Sequence, residues 1–334
     1  MENLNIGVLG AGGWGTSLAL VLSSNGYEVT LWSHDENLVS IINQTRKNPD
    51  YLPGVEIDNS ISVTSNTALL ADCEWLVNTI PTQFIKSTIL NYNLPMKNKF
   101  IINGSKGVEV ETLCRISEIF QKSGDIDSSH FAVLTGPSHA EEVSRKTPTT
   151  IVGASENIIF AHEIQQVFSN EYFRVYASDD VTGCELGGSL KNVIAIAAGI
   201  IDGLGLGDNT KAALITRGLA EISRLGVAMG AKAITFSGLS GLGDLFVTCN
   251  SRHSRNRKVG ELLGSGLTLE DITSQMKMVA EGVYTTKAAI ELGKKHNVEM
   301  PISEQVYRIL FENVKPMEAI HDLMTRQSKR EWWW

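Results

Sequence analysis

Residues 5–15 read NIGVLGAGGWG, a short β pattern that runs into a glycine-rich turn and opens a helical pattern. In that setting G-x-G-x-x-G is informative, because each glycine answers a separate physical need. Gly10 permits the tight turn, Gly12 lets the backbone approach a pyrophosphate, and Gly15 lets the helix pack close to the strand. The helix then faces the phosphates with its unpaired N–H groups. The same letters could spell an ordinary turn, but the strand–helix alternations downstream argue against that. The turn predicts a dinucleotide, and with it a nicotinamide-dependent oxidoreductase.

Those alternations fill the first half of the chain. Strand patterns fall at residues 5–9, 28–32, 75–80, 100–103, 131–134, 149–152 and 172–177, with helical patterns over 14–24 and 36–45. From about residue 179 the β signal stops. The run 193–201 is apolar on every face, and helical patterns follow at 210–229, 281–295, 302–313 and 317–326. The expected fold is α/β, an N-terminal Rossmann-type doubly wound sheet (1–178) followed by an all-helical C-terminal domain (179–334). At 334 residues, each domain has room for its own core.

A formal charge of −8 disfavours nucleic acid or an anionic membrane as the main partner. The four cysteines are widely spaced and never C-x-x-C, which fits a reducing cytosol rather than a disulfide framework. No histidine spacing suggests zinc, so no metal is expected. The N-terminus does not resemble a signal peptide, and the run 193–201 is too short to span a bilayer. A cytoplasmic protein without membrane insertion is expected. A homodimer is compatible with such a helical domain by fold-level analogy alone. The Trp332–Trp334 tail reads as a frayed terminus, with docking against a neighbouring subunit as the alternative.

If the ligand is anionic, an acidic protein must gather local positive charge. After the second strand the residues are Ser33, His34 and then Asp35, so the usual ribose carboxylate comes one step late. A 2′-phosphate is then not repelled, and NADP, or either cofactor, is favoured over strict NAD. His34 either sits beside that phosphate or merely caps the strand end. Lys106, in NGSKG after a buried strand, can meet the nicotinamide end or an anionic substrate, or be a solvated lysine. Gly136 and Ser138, in TGPSHA, offer backbone and hydroxyl donors or form a structural turn. ELGGSLKN leads into the most apolar helix and places Lys191 and Asn192 at its head. Burial and neighbouring cations would suit Lys191 to acid–base work, while a stem snorkelling to the surface is the alternative. GLGDLFVT with Asp244 adds a polar group, and Arg255, between Ser254 and Asn256 at a helix start, is the best phosphate candidate.

The set GAGGWG, NGSKG, TGPSHAEEV, ELGGSLKNVIAIAAG, GLGDLFVTC and SRNRKVG resembles the bacterial NAD(P)-dependent glycerol-3-phosphate dehydrogenases, in the family's order and over nearly the whole chain. The resemblance implies reversible reduction of dihydroxyacetone phosphate to sn-glycerol 3-phosphate for glycerophospholipid synthesis. It implies that Lys191 is the proton acceptor in the oxidative direction and that Lys106 contacts both substrate and cofactor. Gly136, Ser138, Lys191, Asp244, Ser254, Arg255 and Asn256 would line the substrate site. Gly13, Trp14, His34, Ala140, Arg255, Val279 and Glu281 would touch the cofactor. A 6-phosphogluconate- or 2-hydroxyacid-type dehydrogenase shares this architecture, and a non-enzymatic nucleotide sensor is the remaining alternative, against which a lysine at a buried helix speaks.

Overall fold

A computed structural model describes residues 4–275, 280–328 and 330–331. The chain divides into two compact units, one of residues 1–106 and 114–181, the other of residues 107–113 and 182–334. The short segment 107–113 therefore leaves the first unit and belongs to the second.

Among the described residues the first unit is built on ten strands: β1 Asn5–Leu9, β2 Glu28–Trp32, β3 Lys47–Asn48, β4 Leu52–Glu56, β5 Ser62–Thr64, β6 Trp75–Asn78, β7 Phe100–Asn103, β8 Phe131–Thr135, β9 Thr149–Ala154 and β10 Phe173–Ser178. Its helices are α1 Gly13–Ser24, α2 Glu36–Thr45, α3 Ile85–Asn91, α4 Ile116–Gly124, α5 Ala140–Val143 and α6 Ile158–Phe168. Eight strands form one sheet in the order β10-β9-β8-β7-β6-β1-β2-β5. From β1 the chain moves one way to β2 and β5, then returns to β6 and moves the other way. The switch point thus lies between β1 and β6, where open α/β sheets bind their ligands. Pairing is parallel except between β8 and β9, so β9 and β10 run against the other six. Apolar runs such as Ile6–Val8 and Leu76–Val77 are buried on both faces, as helix-covered parallel strands require. Trp75 meets Phe160 of α6 edge to face, 5.2 Å between centroids.

The remaining two strands, β3 and β4, form an antiparallel hairpin that the sequence does not announce. Pro53 and Gly54 fall inside β4 and hide its pattern.

The second unit is helical: α7 Val181–Gly203, α8 Asp208–Ala228, α9 Asp244–Asn250, α10 Arg255–Gly264, α11 Leu269–Gln275, α12 Glu281–His296, α13 Pro301–Phe311 and α14 Pro316–Met324. Its centre is α7, which is long and apolar enough to cross a membrane by length and composition but is buried inside the structure. The helix starts well before the point expected from sequence, so Lys191 stands in mid-helix, not at its head. The glycines at 187 and 188 do not break it, because Gly187 is needed for packing: a Cβ there would lie 2.5 Å from the Ser240 carbonyl oxygen.

Glycines also let α7 and α10 cross backbone to backbone. A Cβ on Gly199 would lie 1.9 Å from the Arg257 carbonyl oxygen, and one on Gly260 would lie 1.9 Å from that of Ile196. Gly203 and Gly264 repeat the fit one turn further on. Asp202 of α7 locks the crossing, held by Arg257 at 2.6 Å and by Lys211 of α8 at 2.6 Å. Glu221 of α8 is buried and accepts from the Ile302 and Ser303 N–H groups and the Ser303 hydroxyl, so it caps α13 from another helix.

Candidate active site

In the first unit the three glycines of the turn have separable reasons. Gly10 adopts φ +106° and donates its N–H to the Trp32 carbonyl at 2.9 Å, which ties the end of β1 to the end of β2. A Cβ on Gly15 would lie 1.9 Å from the Gly10 carbonyl oxygen, so helix and turn touch there. A Cβ on Gly12, by contrast, would meet nothing within 4 Å. Protein packing leaves that position open, which is what approach of a pyrophosphate needs. Helix α1 begins at this turn with no side-chain cap and no acid in its first turn, so an anion suits its N–H groups. These residues fit a dinucleotide.

Residues from elsewhere in the unit support the same turn. Thr79, just past β6, donates its hydroxyl to the Leu9 and Gly10 carbonyls at 2.9 and 3.0 Å. The Trp14 indole donates to the Gly104 carbonyl at 3.1 Å, joining α1 to the loop after β7. Ala140 opens α5, its carbonyl accepts from the Ser17 hydroxyl at 3.0 Å, and its methyl lies 3.6 Å from where a Gly13 Cβ would stand. Ala140 and Gly13, proposed from sequence as cofactor contacts, are thus neighbours.

Just past the end of β2, Asp35 is exposed and serves as a helix cap. Its carboxylate caps α2, accepting from the Asn37 and Leu38 N–H groups at 3.0 and 3.1 Å. Ser33 is buried, and His34 is exposed with its ring 5.9 Å from that of Tyr92. Asp35 is the one carboxylate among residues 33–35.

Lys106, Gly136 and Ser138 converge. The Lys106 ammonium and the Ser138 hydroxyl each donate to the Gly136 carbonyl at 3.1 Å. Gly136 holds φ +146° with Ile151 packed where a side chain would go. Beneath them Asn78 donates to Asn103 at 2.8 Å and Asn103 to the Ser105 carbonyl at 2.9 Å, a buried amide chain at the carboxyl ends of β6 and β7.

In the second unit Lys191 is buried, and its ammonium bonds the Asp244 carboxylate and, at 2.7 Å, the Thr248 hydroxyl. Asp244 and Thr248 stand one turn apart on α9, so both face the same lysine. The partner is an anion, Asp244, for which the sequence left open holding a substrate hydroxyl or orienting Lys191. Thr248 escaped the sequence reading, although its i, i+4 spacing from Asp244 was the available signal. Nearby Cys249 is buried, and burial pushes its thiol up to about 12 despite the pull of Lys191, so it stays protonated.

The start of α10 carries the phosphate candidates. Ser254 caps the helix, its hydroxyl accepting from the Arg257 N–H at 3.2 Å. Arg255 is the first helical residue and is exposed, while Asn256 is buried and accepts from the Gly282 N–H at 2.9 Å. A Cβ on Gly282 would fall 2.7 Å from the Asn192 carbonyl oxygen and 2.8 Å from Asn256 Oδ1. The residue after Lys191, the N-terminal end of α10 and the start of α12 therefore meet. Glu281 opens α12, and Val279 lies outside the described residues. Among the described residues no group of acids, histidines and cysteines could hold a metal ion.

Two family models match along the chain: the N-terminus of NAD-dependent glycerol-3-phosphate dehydrogenase over residues 5–161, and its C-terminus over residues 180–321. A glycerol-3-phosphate dehydrogenase [NAD(P)+] of Prosthecochloris aestuarii is 49% identical over 98% of this chain and 99% of its own. The chain belongs to this family. Family membership makes it an oxidoreductase with a Rossmann-like nucleotide domain and a helical C-terminal domain. The glycerol-3-phosphate dehydrogenase of Coxiella burnetii superposes with a TM-score of 0.92 at 37% identity, covering 97% of this chain and 99% of that one. A D-mandelate dehydrogenase is similar in fold alone, with a TM-score of 0.62 at 13% identity.

Proposed function

We propose that this chain reversibly reduces dihydroxyacetone phosphate to sn-glycerol 3-phosphate with NADPH or NADH, for glycerophospholipid synthesis in the cytoplasm. The observation that carries the reading is the buried Lys191 ammonium held between Asp244 and Thr248. A buried charge of this kind is costly to keep without a task.

When bound, the reduced nicotinamide supplies a hydride to C2 of the ketone. Lys191 gives its proton to the alkoxide oxygen that develops at C2, and Asp244 and Thr248 hold Nζ in place for the transfer. In the oxidative direction the neutral lysine takes the hydroxyl proton back. Arg255 and Asn256 hold the phosphate at the other end of the three-carbon chain, with α10 fixed by its Ser254 cap, so binding there orients the reacting carbon. Lys106, Gly136 and Ser138 contribute further substrate contacts. Gly10, Gly12, Gly13, Trp14 and Gly15 receive the pyrophosphate, with Ala140, Val279, Glu281 and Arg255 as further contacts. His34, beside a strand end whose only acid is a helix cap, admits a 2′-phosphate. Four buried free cysteines support a reducing compartment.

Steady-state reduction of dihydroxyacetone phosphate with NADPH and NADH side by side tests the reading. Turnover with both, not confined to NADH, is expected. Oxidation of 6-phosphogluconate or a 2-hydroxyacid, with no turnover of the phosphoketone, would overturn it.

A further inference from the structure

Asn48 is a fully buried polar residue in the β3–β4 hairpin, outside the glycine turn but bonded to Ala11 within it and to Thr16 just after it. Its amide Nδ2 donates to the Ala11 carbonyl at 2.8 Å and to the Thr16 hydroxyl at 3.0 Å. Its Oδ1 accepts from the Tyr51 N–H at 3.2 Å, so both amide protons and the oxygen are committed and the amide has one orientation. The Tyr51 carbonyl in turn abuts the turn itself, 2.7 Å from where a Gly13 Cβ would stand. Arg46 anchors the hairpin, with its guanidinium on the Ile57 and Ile61 carbonyls at 3.2 and 3.0 Å.

A glycine turn has little of its own to hold it, since each glycine adds backbone freedom. Gly10 is held by Thr79 and by β2, but Gly12 is open and α1 lacks a side-chain cap. Asn48 adds a side-chain brace across residues 11–16. We infer that Asn48 is a positioning residue for the cofactor, holding the Ala11-to-Thr16 arc in the shape that receives the pyrophosphate. The effect is preorganisation: an arc already held loses less freedom when the anion binds. The inference rests on the dinucleotide reading of the turn.

Direct titration of the full-length apoprotein with NADPH, followed by calorimetry, tests it alongside melting of each apo variant. Asn48→Ala should raise the Kd about tenfold, and Thr16→Val, which removes only the hydroxyl end of the brace, about threefold. Asn48→Asp gives a readout that a general loss of stability would not. A buried carboxylate there faces the Ala11 carbonyl and repels it, whereas its protonated form can donate one of the lost bonds. The ratio of its Kd to that of the wild type should therefore fall as pH drops from about 8 to about 6. Folded variants within about twofold of the wild-type Kd, or a ratio flat with pH, overturn the inference while leaving the dinucleotide reading intact. A wild-type protein that binds no NADPH overturns both.

Discussion

Asp244 and Thr248 reach Lys191 from successive turns of one short helix, so the lysine is held by two bonds of different kinds. Its neighbour Cys249 shares the burial but not the charge. Because burial raises that thiol to about 12, almost none of it is thiolate near neutral pH. Iodoacetamide near pH 8 should leave activity unchanged, read as residual turnover after long incubation; fast inactivation traced to Cys249 would show the site to be more open. Arg255 is exposed at the start of α10, which suits a group that meets its ligand from solvent. Arg255→Ala should raise KM for the phosphoketone about tenfold or more, with the fall in kcat the smaller of the two effects. An unchanged KM would remove Arg255 from the phosphate site. At this scale the sequence is readable where chemistry constrains the residue type. Lys191, Asp244 and Arg255 stand out for that reason, whereas Thr248, Thr79 and Asn48 do not: a threonine or asparagine has many structural uses, and only the fold shows which oxygen it faces.

Among the elements, α7 and α10 matter most because the crossing fixes the helix that carries Ser254, Arg255 and Asn256 relative to the one that carries Lys191. The fit is between backbones, with no side chain to yield. Gly260→Ala places a methyl against the Ile196 carbonyl and should destabilise by about 3 kcal/mol or more, measured by urea unfolding. A loss under about 1 kcal/mol would mean that the helices move apart at little cost. Strand and helix positions followed well from hydrophobic periodicity, since β1, β2 and β7 fall where the pattern puts them. The start of α7 did not, because a Gly-Gly pair reads as a break unless the backbone it packs against is known. The reversal of β9 and β10 was equally illegible, since buried strands look alike in either direction.

As a whole, the molecule divides its labour between units that fold around separate cores. The first offers an open glycine position, a helix without a side-chain cap and a strand end whose acid, Asp35, caps the next helix. The second offers a buried, doubly bonded lysine and a helix start that carries Ser254, Arg255 and Asn256. The change from alternating strands to helices made this plan visible in the sequence. The transfer of segment 107–113 to the second unit was not visible, because it depends on the Gly107 N–H bonding the Ser189 hydroxyl at 2.9 Å, 82 residues away in sequence. The decisive variant is Lys191→Ala, with kcat for dihydroxyacetone phosphate reduction measured beside the Kd for NADPH. The account predicts a kcat at least ~10²-fold lower with cofactor binding retained. Near-normal turnover in that variant would contradict it.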